Sequence, residues 1–397
     1  MNKFAIGALV LSSAGSLAFA GGEGTTEWST LDREILSLTA NQGATAGSFG
    51  INGYVRARGV RSKDVDVSRP ERTPDLVTDP LGLTPFASDG QQDLSGFVLD
   101  NARVELRASQ GDYGAYISLE GAGGTVGVLD AYATFKIAEG VTGQMGRFRA
   151  PFLWSSFMVE ENNMLLLDRT FNGQIFQGRQ DGAQLSGVYD QFGWWAALQN
   201  GIDGLQDKIS WTVRAQVNAL GTGMGKQEGA FGSSSDTNIT IGAAYTEDTA
   251  ADLVGGVNSG GAYAVDAGLT QGAFSAHFEL VNYEADIRPI ADISPTTGVV
   301  TPVASGSLPA FGAGGLALNV ENPWTATASY AIQPDVVDLV VRFEDLDDNS
   351  DTSVWSVGLN YYLSGHNAKW TLQGSRSDSD LSFMDVDTLA LGLTVGV

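Results

Sequence analysis

The 397-residue chain contains no cysteine, so no disulfide framework holds it together. An exported chain of this length then needs another route to stability, and a hydrogen-bonded sheet closed on itself is one. Histidine is nearly absent, with only His277 and His366. No serine–histidine–acid set has a workable arrangement, so no enzymatic activity is expected. Basic residues are also few: 22 Lys and Arg stand against 46 Asp and Glu, a net charge of −24. That balance excludes nucleic acid as a natural partner, because such binding is dominated by phosphate neutralisation. After the first twenty residues no unbroken apolar run reaches the roughly 18 residues that a transmembrane helix needs. The acidic stretch Asp345-Leu-Asp-Asp-Asn-Ser-Asp351 offers hard oxygen ligands, but its spacing departs from the twelve-residue helix–loop–helix calcium motif. It reads as a solvated loop, and neither a metal nor a cofactor is assigned.

What is present starts with a leader. Lys3 gives a positive start, Ala5 to Leu11 an apolar run too short to span a bilayer, and Ala18-Phe19-Ala20 an A-x-A cleavage site. Residues 1–20 are therefore read as a signal peptide cleaved after Ala20. Its removal leaves 21 basic residues against 46 acidic, a net of −25. Residues 21–48 are read as a periplasmic N-terminal segment. Leu31, Ile35 and Leu38 at helical spacing suggest a short amphipathic helix serving as an arm, plug or subunit contact, with a frayed terminus as the alternative. Residues 49–397 form the remaining division.

That division alternates. In Gly127–Ala138, Leu129, Ala131, Ala133, Phe135 and Ile137 share one face, while Asp130, Tyr132, Thr134 and Lys136 share the other. A soluble sandwich alternates too, so one strand decides little. Sixteen candidates of this kind follow one another, at about 49–59, 95–109, 112–121, 127–138, 141–150, 181–190, 191–200, 208–220, 237–247, 261–271, 272–285, 323–332, 335–345, 352–364, 367–377 and 385–397. Behind an export signal, an even set of strands of about ten residues predicts a transmembrane antiparallel β-barrel of the bacterial outer membrane. The 51 glycines, eight tryptophans and eleven tyrosines suit tight turns and interfacial aromatic belts. A mean hydropathy of −0.02 suits an alternating wall with polar loops.

Connection lengths give an independent test. Short links fall at Gln110-Gly111, Glu139-Gly140, Asp190-Gln191, Gln271-Gly272, Gln333–Asp335 and Ser364–Asn367, all on one side. The longest, 60–94, 151–180 and 286–322, fall on the other. Segment 221–236 breaks the rule, through either a miscounted strand or an extended periplasmic turn.

Turning the apolar faces to lipid sets the inward charges, since a basic side chain at the lipid midplane costs about 2–4 kcal/mol. The inward basic set is Arg56, Arg58, Arg103, Arg107, Lys136, Arg214, Arg342 and Lys369. Inward acids are Glu105, Glu120, Asp130, Glu279, Asp338 and Glu344. The wall then leans mildly basic although the chain is acidic, and local wall charge is what a passing ion meets. The alternative is that these arginines pair with neighbouring acids, as Arg103 and Arg107 flank Glu105, and select for nothing. The connection 151–180 is unusually apolar for a loop in water, with Trp154, Phe157, Met158, Met164 and three consecutive leucines. Folding into the barrel or packing at a subunit boundary would bury them. Its charges Glu160, Glu161, Asp168, Arg169 and Arg179, with Arg147 and Arg149 of the preceding strand placed inward, would then form a constriction. The competing reading is a surface lid or docking patch. His277 is expected inward beside Glu279, and His366 in a structural turn.

Here a likeness to a known family emerges. Gly146-Arg-Phe-Arg-Ala-Pro-Phe152, Asp168-Arg-Thr170, Arg342-Phe-Glu-Asp-Leu-Asp-Asp348 and Val357-Gly-Leu-Asn-Tyr-Tyr-Leu-Ser-Gly-His-Asn-Ala-Lys-Trp370 resemble the phosphate-selective porin O and P family. The resemblance is loose over most of the mature chain and close over 352–370. It implies a sixteen-stranded trimeric porin with an inward-folded third loop, surrounded by outer-membrane lipid and passing small ions and solutes. Two departures are plain. The family's arginine ladder and lysine cluster are not matched by a chain with 22 basic residues, and the chain ends in Val397 where such barrels commonly end in an aromatic. The expected function is a mildly anion-leaning diffusion porin. A surface adhesion or structural barrel with a closed lumen, its loops 60–94 and 286–322 binding partners, is the alternative.

Overall fold

A computed structural model describes residues 47–66, 91–201, 209–233, 235–251, 257–284, 290–294, 297–303, 320–380 and 384–397. The chain divides into two units, Met1–Ser48 and Phe49–Val397; of the first, only Gly47 and Ser48 are described. The readings made for residues 1–46, including the cleavage site and the short helix, lie outside the described residues.

Among the described residues, alternation in the sequence becomes eighteen strands. The first eleven are β1 (Gly47–Asp66), β2 (Gln91–Gln110), β3 (Tyr113–Glu120), β4 (Gly127–Ala138), β5 (Val141–Arg149), β6 (Arg179–Tyr189), β7 (Phe192–Asn200), β8 (Ile209–Leu220), β9 (Asn238–Ala251), β10 (Val257–Gln271) and β11 (Phe274–Tyr283). Then come β12 (Ile290–Ile293), β13 (Val300–Val303), β14 (Trp324–Gln333), β15 (Val337–Asp345), β16 (Ser353–Ser364), β17 (Ala368–Asp378) and β18 (Asp387–Gly396). Sixteen of them pair with their neighbours into a closed barrel, and β12 and β13 form a separate two-stranded sheet. β1 closes the ring against β18, from Tyr54 opposite Gly396 to Lys63 opposite Asp387. Val397 takes part in the seam, exchanging backbone hydrogen bonds of 3.2 and 2.9 Å with Gly53. Closure leaves no edge with unpaired backbone groups, which is what permits a sheet to stand in hydrocarbon.

The two faces sort as alternation requires. Ile209, Val213 and Val217 of β8, and Leu389, Leu391 and Val395 of β18, are exposed on the outside, whereas Arg214, Ala390 and Thr394 between them are buried. Outward aromatics line up across four strands: Phe278–Trp324, Trp324–Phe343 and Phe343–Trp355 lie 6.0, 5.1 and 4.5 Å apart. That is the arrangement of an interfacial belt. In β4 the phase slips: the pairing with β3 shifts between Ser118 and Leu119, so Val128 rather than Leu129 stands opposite Leu119. Leu129 is the extra residue of a bulge, which pure alternation cannot foresee.

The predicted short links are turns at one end of the barrel. At the other end β1 and β2 run further than expected, to Asp66 and from Gln91, so the connection between them is 67–90 and lies outside the described residues. The 286–322 connection contains β12 and β13, which the sequence reading missed because each is four residues long. This small sheet does not stand free. Ser62 of β1 donates to the Thr297 carbonyl at 2.9 Å and Thr388 of β18 to that of Gly298 at 3.2 Å. Ala291 and Val300 are buried in one cluster with Phe171, Leu346, Val354 and Met384. Segment 221–236 is an extended turn, and the strand count holds.

Candidate functional site

The connection from Ala150 to Gly178 holds two short helices, α1 (Trp154–Phe157) and α2 (Phe171–Ile175), and a 3-10 turn at Glu161–Asn163 between them. Most of its apolar side chains are buried: Phe152, Leu153 and Val159 are fully inaccessible, and Trp154, Met164, Leu165 and Leu166 nearly so, while Phe157, Met158, Ile175 and Phe176 are half-buried. An irregular backbone withdrawn from water must find partners for its amides and carbonyls. Inward side chains from widely separated strands supply them. Arg214 of β8 donates to the Phe152 carbonyl at 2.9 Å, and Glu279 of β11 accepts from the Ser155 amide at 3.0 Å. Asn360 of β16 donates to the Leu165 carbonyl at 2.9 Å, and Lys369 of β17 to that of Met164. Gln373 of β17 accepts from the Leu167 amide at 2.7 Å, and Arg56 of β1 donates to its carbonyl at 2.7 Å. Arg342 of β15 reaches the Asp168 carbonyl at 2.8 Å, and Glu344 the Phe171 amide at 2.7 Å. Close approach also needs room. A Cβ at inward Gly358 or Gly392 would stand 2.5 Å from Leu166 or 2.2 Å from Leu167.

Four of the seven predicted constriction residues meet in one cluster. Glu161 accepts from Arg103 at 2.6 Å, Arg149 at 2.9 Å and Tyr54 at 2.7 Å, with Arg169 at 3.2 Å. Glu160 pairs with Arg149 at 3.1 Å and Arg103 at 3.2 Å. Arg169 also donates to the carbonyls of Ser155 and Val159. Asp168 lies apart, 2.8 Å from Arg58, and Arg179 sits 3.4 Å from Asp130. The remaining assignment is corrected. Arg147 faces outward, bonded to Asp181 at 2.7 Å, and its side chain is 44% exposed. Alternation through β5 puts it on the face of Met145 and holds as far as Phe148; it breaks at Arg149, which is buried beside Phe148 and turns inward. It sits two residues from the end of β5, where a basic side chain on the lipid face costs only about 0–1 kcal/mol, and its aspartate partner lowers that further.

The wall set divides. Arg56, Arg58, Arg103, Arg214, Arg342 and Lys369 are inward but buried. Arg58 is bonded to Asp100 and Asp168, Arg103 to Glu120 and Arg214 to Asp266. Arg107 is bonded to Glu105 at 2.9 Å yet 59% exposed, and Lys136 is exposed on the same wall. The pairing alternative thus describes most of the arginines, though Arg103 takes Glu120, Glu160 and Glu161 rather than its neighbour Glu105. Their common partner is the 150–178 connection, which a count of strand charges cannot reveal.

Residues overlooked in the sequence include Tyr54, Asp100, Asp266, Asn360 and Gln373. The phase of their strands carries the signal for most of them, but a rule built on the inward charges passes over neutral positions. Glu228 had no signal at all, lying in a Gly/Ser-rich link. His277 is 4.0 Å from Glu279 and its ring lies tilted, 4.5 Å from that of Trp154, and His366 contacts Lys369 at 3.0 Å.

Two carboxylates of the connection respond differently to their surroundings. Burial works to raise Glu161, but Arg149, Arg169 and Arg103 together hold it well below the usual carboxylate range. Partial burial raises Glu160 from its ordinary value, with Glu161 adding to the rise and Arg149 and Arg103 opposing it. As pH falls, Glu160 is therefore neutralised first. Glu161, whose depressed value stabilises the fold at any pH above its unfolded value, stays ionised through mild acid and keeps the connection pinned. As pH is lowered stepwise from 7 and Glu160 takes up its proton before Glu161 does, reversal potentials should shift toward anions, with unchanged protease resistance of the connection.

Exposure of the inward side chains is one-sided. Through the middle of the barrel, those of β9–β11 and β14–β18 are buried, apart from half-buried His277 and Thr327. On β2–β6, Arg107 and Lys136 are exposed, and Tyr116, Tyr132, Thr134, Gln144 and Ser186 are half-buried. Tyr116 and Tyr132 lie 5.2 Å apart, with Arg107 stacked 5.0 Å from the Tyr116 ring. Glu160 faces the open side, its side chain one-third exposed at 33%.

No family model and no curated protein matches the chain. Solved structures do. A loop-deletion variant of OmpT, an outer membrane protein of Vibrio cholerae, superposes with a TM-score of 0.56 at 11% identity, covering 89% of this chain and 100% of that one. An anion-selective porin from Comamonas acidovorans gives 0.54 at 10% identity, covering 88% and 100%. The outer membrane channel DcaP of Acinetobacter baumannii gives 0.53 at 11%, covering 88% and 97%. At such identities the likeness establishes architecture alone: this chain has the closed sixteen-stranded fold of bacterial outer-membrane channels.

Proposed function

We propose that the protein is a diffusion porin of a bacterial outer membrane, exported through the cleaved leader 1–20 and passing small hydrophilic solutes and ions without bond chemistry. The observation that carries this reading is the one-sided inner wall. An apolar-outside barrel keeps exposed and half-exposed polar side chains on β2–β6, opposite a connection pinned across the inner face. The 150–178 connection, with Arg149, Glu160, Glu161 and Arg169 as its fastening, narrows that passage. The mild anion lean rests on Arg107 and Lys136, since the other basic side chains are spent on holding the connection. The likeness to phosphate-selective porins and the anion-selective Comamonas neighbour support an anionic preference. A homotrimer in outer-membrane lipid is the assembly we infer, supported by the trimer form of the similar Vibrio OmpT.

The adhesion or structural-barrel reading draws on one observation, the β12–β13 sheet resting on β1 and β18. Swelling of liposomes that hold the purified protein separates the two. Small neutral sugars should enter and swell the vesicles; vesicles that stay unresponsive to sugars of every size would contradict the porin.

A further inference from the structure

The 221–237 connection joins β8 to β9 at the end of the barrel where every other link is a tight turn. It does not lie along the rim. The Met224 amide donates to Thr240 of β9 at 2.8 Å, and the Met224 side chain packs on the cluster of Trp154, Val159 and Met164. The Glu228 amide donates to the Asn163 carbonyl at 3.0 Å, and Asn163 returns a bond to the Lys226 carbonyl at 3.4 Å. The Glu228 carboxylate accepts from the Leu165 amide at 2.8 Å and stands 3.9 Å from Arg342. Beyond it, Phe231 packs 4.9 Å from Tyr362 of β16 and 5.9 Å from His366, and the Gly232 amide donates to Asp335 at 3.1 Å. Ser233 donates to the Gly272 carbonyl at 2.6 Å. The segment thus leaves the β8–β9 junction and reaches the β14–β15 and β16–β17 turns, touching the 150–178 connection on its way.

We propose that 221–237 is a second constricting element, entering from the short-turn end, and that Glu228 fastens it to the 150–178 connection. Buried Glu228 lies in an otherwise Gly/Ser-rich link, and such a carboxylate is retained only where donors meet it. The donor, the Leu165 amide, belongs to the 150–178 connection, and the nearby cation, Arg342, to β15. The two connections together account for the burial of the inner wall on β9–β11 and β14–β18, and they confine solutes to the β2–β6 side. The size limit is then set from both ends of the barrel. This rests on the porin reading above.

The absence of cysteine makes the test direct. Lys226 is exposed on the segment, so Lys226→Cys is labelled with a bulky methanethiosulfonate during planar-bilayer recording. Labelling should lower the unitary conductance by about a third or more. A second variant, in which 222–236 is replaced by Asn-Gly, should raise it; if that chain does not assemble, the cysteine variant decides alone. Complete labelling with unchanged conductance would overturn the proposal while the porin reading stood. Absence of current steps from the unlabelled parent would instead refute the porin reading itself.

Discussion

Glu161→Ala should release the 150–178 connection from the barrel wall. Glu161 is the shared acceptor of Tyr54, Arg103, Arg149 and Arg169, and all five residues are buried. Removing one partner of a buried ion pair costs about 3–5 kcal/mol, because the remaining charge keeps its desolvation without its compensation. Here three guanidiniums lose one carboxylate at once. Glu160 retains bonds to Arg103 and Arg149 but none to Arg169, so the charge at Arg169 is the one left stranded. Arg169 is 4% exposed in the intact protein and should resist trypsin in the refolded barrel. In Glu161→Ala the bond after Arg169 should be cut within the time the parent survives, and recorded currents should become larger and noisier. Glu161→Gln keeps the shape without the charge and should fall between the two. Equal trypsin resistance of Glu161→Ala and the parent would show that the cluster does not hold the connection.

The second large effect concerns selectivity. Buried, paired arginines contribute little net field to a passing ion, whereas an exposed charge on a narrow wall acts directly. Arg107 is the exposed cation beside Tyr116, and Arg107→Glu sets a second carboxylate beside Glu105 where an ion pair stood. The reversal potential in a tenfold salt gradient should move by tens of millivolts toward the cation limit, which is about 59 mV for a monovalent ion. Arg147→Ala, by contrast, removes an outward charge and should leave the reversal potential where it was. A shift at Arg147 with none at Arg107 would invert this assignment of faces.

Much of the barrel is legible because its physics is local. Period-two alternation follows from the pleat and from the cost of polar groups in lipid, so all sixteen barrel strands and their order could be placed from residues alone. The bulge at Leu129 and the outward Arg147 were missed for opposite reasons. One is a backbone irregularity without a sequence mark, and the other follows the alternation that a charge rule had overruled. The site was legible in composition but not in connectivity. The apolar run from Phe152 to Leu167 signalled a buried connection, and Arg149, Glu160, Glu161 and Arg169 were its expected charges. Which strand each charge meets depends on contacts such as Tyr54 to Glu161, 107 positions apart, and no local pattern encodes these. Glu228 is the extreme case, a single carboxylate in a glycine-rich link whose partners come from the 150–178 connection and β15.

Single-channel recording of the purified, detergent-extracted protein in a planar bilayer bears most directly on the central claim, that a water-filled passage runs along the β2–β6 side of this barrel. Discrete, reproducible conductance steps that shrink on labelling of an Arg107→Cys variant are the predicted result. A protein that inserts but passes no current, or steps indifferent to a bulky group at position 107, would contradict it.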